Sequence, residues 1–347
     1  MMKVTIKDIA DACDVSKATV SRFINGSGYV SKDVADRLAG KIEELNYVPS
    51  ATARSLSTKK SNVIGVIIPE VSNPFFAEIF KGISEIADKH DLNIFYCDTD
   101  NDGKKELKAL NMLRSHEICG IILTPATGGL IDHEYNSDFV NAVKSLNVPV
   151  VLLDRDIEYV DWDGVFIDNF KGAYDSTQLL IKNGHKDIAI ITGNRDLLIG
   201  QERFKGYMTA MYESDLTLHQ EFIIEGDFTT ETAYTKTINL LKLDKRPTAI
   251  FTSNNLTTLG VLKAFTEQGI RIPEDIAIVG FDDIAVLQLL NICLTVVHRD
   301  TVDMGRKAME LLIDNMKDSN MNKQRSGKKI IIEPEIIIRG SERLIKE

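Results

Sequence analysis

A small all-α head followed by an α/β body of two lobes with parallel sheets is the fold class this sequence predicts. Three observations predict it. The first fifty residues hold three short stretches with apolar residues at helical spacing. Beyond Ser61, the apolar runs VIGVII, LNIFY, CGIIL, VPVVLL, DIAIIT, TAIFTS and IAIVGF alternate with amphipathic stretches such as FFAEIFKGISEIADKH, the pattern of parallel strands flanked by helices. These units are too many for one small sheet, so the body divides into two lobes.

The head begins at Thr5, which can cap a first helix, with Asp8 three positions on as capping-box partner. Ile6, Ile9 and Ala10 share its buried side. Ala12-Cys13-Asp14 breaks the pattern, and Asp14 suits a left-handed turn because its short side chain tolerates positive φ. Ser16 caps a second helix, Val15 and Val20 form a hydrophobic staple around it, and Gly26 ends it. A third helix starts at Ser31, with Asp33 in its first turn and Val34, Leu38, Ile42 and Leu45 at helical spacing.

On the second helix Val20, Phe23 and Ile24 share the packing arc. Lys17, Ala18, Ser21 and Arg22 occupy the opposite arc. That arc suits entry into a DNA major groove with its N-terminal end leading. Arg22 can fork onto a guanine edge, and Ala18 offers a methyl to thymine. Ser16, Thr19, Ser21 and Asn25, with Thr5 counted among them, have the size for phosphate contacts, which position the helix without reading sequence. An ordinary amphipathic helix pair with solvated cations fits the same pattern; the context decides. Next comes Pro49-Ser50-Ala51-Thr52-Ala53-Arg54-Ser55-Leu56-Ser57. It fits a short helix in a minor groove, small at Ala53, with Leu56 as a wedge between base pairs. A plain Ala/Ser linker is the alternative.

VTIKDIADACDVSKATVSRFING, then ELNYVPSATARSL, then NVIGVIIPEVSNPFFAEIFKGI together resemble the lactose/galactose repressor (LacI/GalR) family of bacterial transcription regulators. The resemblance runs from Val4 to about residue 343. It implies that Lys17, Ala18 and Arg22 read bases and that Ala53 and Leu56 enter the minor groove at the operator centre. It also implies a body like the periplasmic binding proteins, with the chain crossing between lobes three times. The expected organisation is 1–48 for the helix-turn-helix head, 49–61 for a hinge helix and linker, and 62–343 for the effector-binding and dimerisation domain. Lobe one is expected at about 62–167 and 299–328, and lobe two at about 168–298 and 329–343. One departure is Asp14, where the family has Gly; a slightly strained turn is the expected result.

Charge is distributed unevenly along the 347 residues, whose formal net charge is −10. Residues 1–60 carry 10 Lys+Arg against 7 Asp+Glu, a net of +3, and the remainder is correspondingly −13. A basic head on an acidic body confines DNA attraction to the head. Cysteines 13, 97, 119 and 293 lack paired spacing for metal or redox chemistry and are expected as buried thiols in a reducing cytosol. MMKVTIKD lacks the apolar stretch of a signal peptide, and no run of about 18 apolar residues suggests a membrane span. A cytoplasmic protein is expected. No GxSxG, GxxxxGK[ST] or HExxH occurs and the six histidines are scattered, so neither an enzyme nor a metal or cofactor is expected. A transport-associated sugar binder would share the body but not the basic head.

Ligands of open α/β sheets favour the carboxyl ends of strands. Asn73 and Phe75 follow the first strand of the body. Asn73 can bond a hydroxyl and Phe75 can stack on a ring, with Phe76 more buried; a plain helix start at Pro74 with both rings in the core is the competing reading. Asp154-Arg155-Asp156 and Asp168-Asn169 end other strands, where acids commonly cap the next helix. The resemblance carries effector contacts onto Arg203 in QERFKGY, Phe228 in EGDF, Asn254 in FTSNN and Asp282 in VGFDD. Asn255 departs from the family's Asn-Asp at this point. Arg155 and Arg203, with Arg195, suit an anionic group as well as sugar hydroxyls, so a sugar, sugar acid or other sugar derivative is the expected effector. One recognition helix reads few bases, so a homodimer on a pseudo-palindromic double-stranded operator is expected. The tail RGSERLIKE is too short for a tetramer-forming coiled coil. A sequence-specific transcription regulator, a repressor by the commoner family mode, is the functional expectation.

Overall fold

The computed structural model describes residues 4–47, 61–126, 133–157, 160–318 and 327–345. It falls into two units, Met1–Asn62 and Val63–Glu347.

The head is α1 (Ile6–Ala12), α2 (Lys17–Asn25) and α3 (Lys32–Glu44). Thr5 and Asp8 form a full capping box: the Thr5 amide donates to Asp8 Oδ2 at 2.7 Å and the Asp8 amide to Thr5 Oγ1 at 3.4 Å. Asp14 turns the chain at φ 51°. The Thr19 amide donates to Ser16 Oγ at 3.1 Å, and Gly26 ends α2 in the left-handed region at φ 59°. Ser31 stands at the start of α3, but its hydroxyl makes no capping bond, so that cap is positional only. Ile9, Ala10, Cys13, Val20 and Leu38 form the core, with Val15, Phe23, Ile24, Val34, Ile42 and Leu45 packed around it. The proposed minor-groove pair, Ala53 and Leu56, lies outside the described residues.

Among the described residues the body has twelve strands: β1 (Val63–Ile68), β2 (Asn93–Asp98), β3 (Gly120–Leu123), β4 (Val150–Leu153), β5 (Asp163–Ile167), β6 (Ile188–Ile191), β7 (Ile223–Ile224), β8 (Ala249–Thr252), β9 (Ala277–Phe281), β10 (Thr295–His298), β11 (Lys329–Ile332) and β12 (Glu335–Ile337). They make two six-stranded sheets, ordered β11-β5-β4-β3-β1-β2 and β12-β10-β9-β8-β6-β7. Every pairing is parallel except β10 with β12.

The helices are α4 (Pro74–Lys89), α5 (Gly103–Ser115), α6 (His133–Ser145), α7 (Asn169–Lys182), α8 (Leu198–Glu213), α9 (Thr230–Leu240), α10 (Asn255–Gln268), α11 (Ala285–Leu289) and α12 (Thr301–Lys317). Both faces of each sheet are buried, which is why the strands read as unbroken apolar runs. In sheet one, Ile64, Val66, Ile122 and Val151 face α4 and α12, while Ile67, Ile121, Leu123 and Leu152 face α5 and α6. Sheet two divides likewise: Ile191, Ile250 and Ile278 face α9 and α10, and Ile190, Phe251 and Val279 face α7 and α8. Packing of α12 on α4 is close enough that a Cβ on Gly82 would lie 2.0 Å from the Val302 carbonyl oxygen. That contact returns α12 to lobe one.

Two expectations need correction. The third crossing was placed at 328/329, but β11 pairs with β5 in sheet one and β12 with β10 in sheet two. The chain therefore crosses at Glu333-Pro334, where proline interrupts what otherwise reads as one strand. Cys293 is exposed, not buried, because it lies in the turn after α11 and not in a strand.

Candidate effector cleft and DNA-reading helix

The C-terminal strand ends of both sheets surround one cavity of about 770 Å³. All seven candidate effector residues, Asn73, Phe75, Arg155, Arg203, Phe228, Asn254 and Asp282, line it. The bonds these side chains already make set what each can offer.

Asn73 caps α4, its Oδ1 accepting from the Phe75 amide at 3.1 Å and from Asn255 Nδ2 at 2.8 Å. The helix-start reading therefore holds alongside a place on the cavity wall. Phe75 and Phe76 are both buried and pack edge to face at 4.9 Å; both line the cavity. One face of Phe75 is already covered by the Arg299 guanidinium, 3.8 Å from the ring centre. Asn254 caps α10 through Oδ1 to the Thr257 amide and donates to the Phe228 carbonyl at 3.2 Å, so its amide holds scaffold. Phe228 sits at φ 70°, and its ring passes so close to Gly193 that a Cβ there would overlap it at 1.9 Å.

Arg203 is the centre of the lobe-two wall. Only 1% exposed, it donates from Nε to Asn169 Oδ1 at 2.9 Å and from Nη1 to the Ser253 carbonyl, and lies 3.8 Å over the Phe281 ring. Its Nη2 has no partner. Burial, then the charge of Arg299, pushes its pKa down to about 10, so it stays cationic at neutral pH. Arg155 donates to the carbonyls of Pro125 and Ala126 at 2.9 and 3.1 Å and to Asn101 Oδ1 at 3.0 Å; its Nε is unpartnered. Among the described residues, neither arginine has a carboxylate in hydrogen-bond contact. Arg195, by contrast, pairs with Glu225 at 2.9 Å and lies over Phe204; it is not among the residues lining the cavity, so Arg195 itself is not placed to meet an anionic group there.

Two buried charged positions at the cavity or behind its wall have little or no signal in the sequence. Arg299 lines the cavity and donates to Asp282 Oδ1 and Asp154 Oδ1, both at 2.7 Å. Burial lowers its pKa, but the two carboxylates more than reverse this. Its only sequence signal is a charged pair, Arg299-Asp300, directly after an apolar TVVH run. Glu106 is fully buried within α5, accepting from the Ala126 amide at 2.9 Å and from the Tyr135 hydroxyl. Burial pushes its pKa up to about 7 against both bonds and the charge of Arg155. Nothing in the sequence separates it from the exposed acids of an amphipathic helix.

In the head, Lys17, Ala18 and Arg22 are exposed on α2 and Val20 is buried on its far side. Thr5 and Ser16 are exposed as well but act as caps. Thr19, Ser21 and Asn25 are half-buried; Asn25 Nδ2 donates to Ser21 Oγ at 3.2 Å, and the Thr19 and Ser16 hydroxyls lie 2.9 Å apart. Tyr29, in the loop after α2, is 90% exposed, an aromatic beside the reading surface that the helical pattern could not pick out. Among the described residues no helix is long and apolar enough to cross a membrane, and no group of three or more His, Cys, Asp or Glu is placed to hold a metal.

A capped helix-turn-helix head ahead of a cleft between two parallel-sheet lobes defines a DNA-binding regulator with a small-molecule domain. Residues 5–50 match the family described as bacterial regulatory proteins, lacI family, and residues 61–339 match periplasmic binding proteins and sugar binding domain of LacI family. The chain belongs to the LacI family of DNA-binding transcription regulators; it is not an enzyme. It is 35% identical over 339 residues to the HTH-type transcriptional repressor PurR of Actinobacillus pleuropneumoniae serotype 3 (strain JL03), covering 98% of each chain. It is 32% identical to the ribose operon repressor of Haemophilus influenzae, with 97% of this chain and 98% of that one covered. Among solved structures it is similar to a complex of the transcriptional regulator CelR with cellobiose, at TM-score 0.71 and 26% identity over 97% of this chain and 99% of that one.

Proposed function

We propose that the protein is a repressor that binds a pseudo-palindromic operator as a homodimer and whose operator affinity is set by a sugar or sugar derivative held in the cleft. The observation that carries the reading is Arg203, buried on the cavity wall with Nη2 unpartnered. A buried guanidinium nitrogen without an acceptor costs free energy, and ring hydroxyls or a carboxylate of an effector would supply one. Phe75 and Phe228 flank the same space with apolar ring surface, as sugar faces require. Relatives named for ribose and cellobiose support the class. In the head, Lys17, Ala18 and Arg22 would read base edges, and Thr5, Ser16, Thr19, Ser21 and Asn25 would hold phosphates. Effector binding would shift the lobe arrangement and, through it, the pairing of the two heads.

Calorimetry on the intact protein with neutral sugars, sugar acids and purines tests the effector class; tight binding of a purine alone overturns it. Selection of DNA from a random library, with and without the compounds that bind, tests the coupling; no sequence preference at moderate salt overturns the regulator reading for this head. Removal of residues 1–60 is expected to abolish specific DNA binding and leave the calorimetric signal intact.

A further inference from the structure

We infer that Arg299 is a positioning residue of the cleft, tying lobe two to lobe one so that the cavity walls are held in register by the protein's own charges. Arg299 directly follows β10 of sheet two and stands one residue before the cap of α12, which packs on lobe one. Its Nε bonds Asp282, just past β9 in lobe two, and its Nη1 bonds Asp154, just past β4 in lobe one. Both aspartates turn the chain at positive φ, 73° and 64°, a conformation L-residues adopt at a cost. The three side chains are between 3% and 7% exposed. The guanidinium also lies on Phe75 from the start of α4, a second contact with lobe one.

The fork geometry is what makes the tie. One planar guanidinium presents donors along two edges at once, which a single ammonium cannot do with the same angles. Without the arginine, two buried carboxylates would face each other uncompensated, and like charges in a desolvated site separate or take up a proton. The other arginines on the cavity wall do not replace it: Arg203 and Arg155 donate to neutral acceptors. A second, neutral link runs parallel to the first, from Asn255 at the start of α10 to Asn73 at the start of α4. It reports on the same closure from the far wall, and it uses the residue at which this chain carries Asn instead of Asp.

That link supplies the assay, which needs no effector and so stands or falls apart from the proposed effector class. Cysteines placed by N73C and N255C, with dibromobimane as a short thiol cross-linker, report how often the two helix starts meet. In this background R299M is expected to slow cross-linking at least about fivefold. R299K, which keeps the charge but loses the fork, is expected to recover part of that loss. Circular dichroism and melting establish that each variant is folded. Should R299M not fold, D154N takes its place, since it leaves the Arg299–Asp282 pair intact and removes the negative charge of the acceptor in lobe one; slowing in the same direction is expected. A folded R299M, or a folded D154N where R299M fails, that cross-links within twofold of the parent overturns the assignment. Full recovery by R299K also overturns it, because charge alone would then suffice and the fork would play no part.

Discussion

The head and the body of this regulator place their polar residues under opposite rules. In the head, the three residues assigned to base edges, Lys17, Ala18 and Arg22, lie exposed on a helix whose other side is core. In the body, the polar residues assigned to the effector, Asn73, Arg155, Arg203, Asn254 and Asp282, are buried and already bonded to scaffold: Asn73 and Asn254 cap helices, Arg155 holds two carbonyls, and Asp282 holds Arg299. A surface that must meet a polymer stays free and solvated. A cleft that must close on a small molecule is built from side chains that serve the fold and the ligand together. Substitution at the base-reading positions of the head should therefore cost binding alone, while substitution in the cleft should cost both.

The sharpest break of that comparison is expected from R22A. Loss of a bidentate base contact removes about 1–3 kcal/mol of discrimination, roughly 5- to 160-fold in operator affinity, and relaxes specificity at that base position. The melting temperature should not move. Titration of labelled operator across a salt series, beside a melt, checks both; a large drop in stability would mean that Arg22 has a structural duty after all. In the cleft, R203M is expected to weaken effector binding about 10- to 100-fold, the range for a hydrogen bond to a charged group, measured with whichever compound calorimetry identifies. It should also lower the melting temperature, since Asn169 Oδ1 and the Ser253 carbonyl lose their donor.

This contrast also explains what could be read in advance. Amphipathic helices of the head announce themselves, because one arc is apolar and the caps Thr5, Ser16 and Gly26 carry strong local preferences. Long central strands such as Val63–Ile68 are equally plain. Short edge strands, Ile223–Ile224 and Glu335–Ile337, have too few residues to show a period, and the Lys329–Ile332 strand is set by its pairing with β5, which no local pattern encodes. In the cleft, Arg203, Phe228 and Asp282 were legible through the family resemblance. Arg299 and Glu106 were not, because their roles come from partners distant in sequence, Asp154 at 145 positions and Tyr135 at 29.

Glu106 offers a test of the body's double duty through pH. Its folded pKa of about 7 lies above the ordinary 4.5, so the folded state holds the proton more tightly than the unfolded one. The resulting stabilisation is full below about pH 4.5 and is lost as pH rises through 7. E106Q keeps an acceptor for the Ala126 amide and removes the titration. It should be more stable than the parent at pH 8, by something on the order of 2 kcal/mol, and the gain should shrink toward pH 6. Guanidinium unfolding at both values measures it, and an equal effect at pH 6 and pH 8 would assign the change to packing instead.

The smallest effect is expected at Asp14, where the head departs from its family. The residue sits exposed at φ 51° in the turn between α1 and α2, a region that glycine enters without the steric penalty borne by residues with a Cβ. D14G should relieve that strain, though the added freedom of glycine in the unfolded chain offsets part of the gain. A net stabilisation of the head below about 1 kcal/mol follows, readable as a small rise in the denaturant midpoint of the head. Operator affinity should stay within twofold, because Asp14 is a turn residue and the base-reading arc begins at Lys17. If D14G changes sequence preference instead, the turn does more than set the angle between two helices, and the separation of fold from function claimed for the head fails at its first departure from the family.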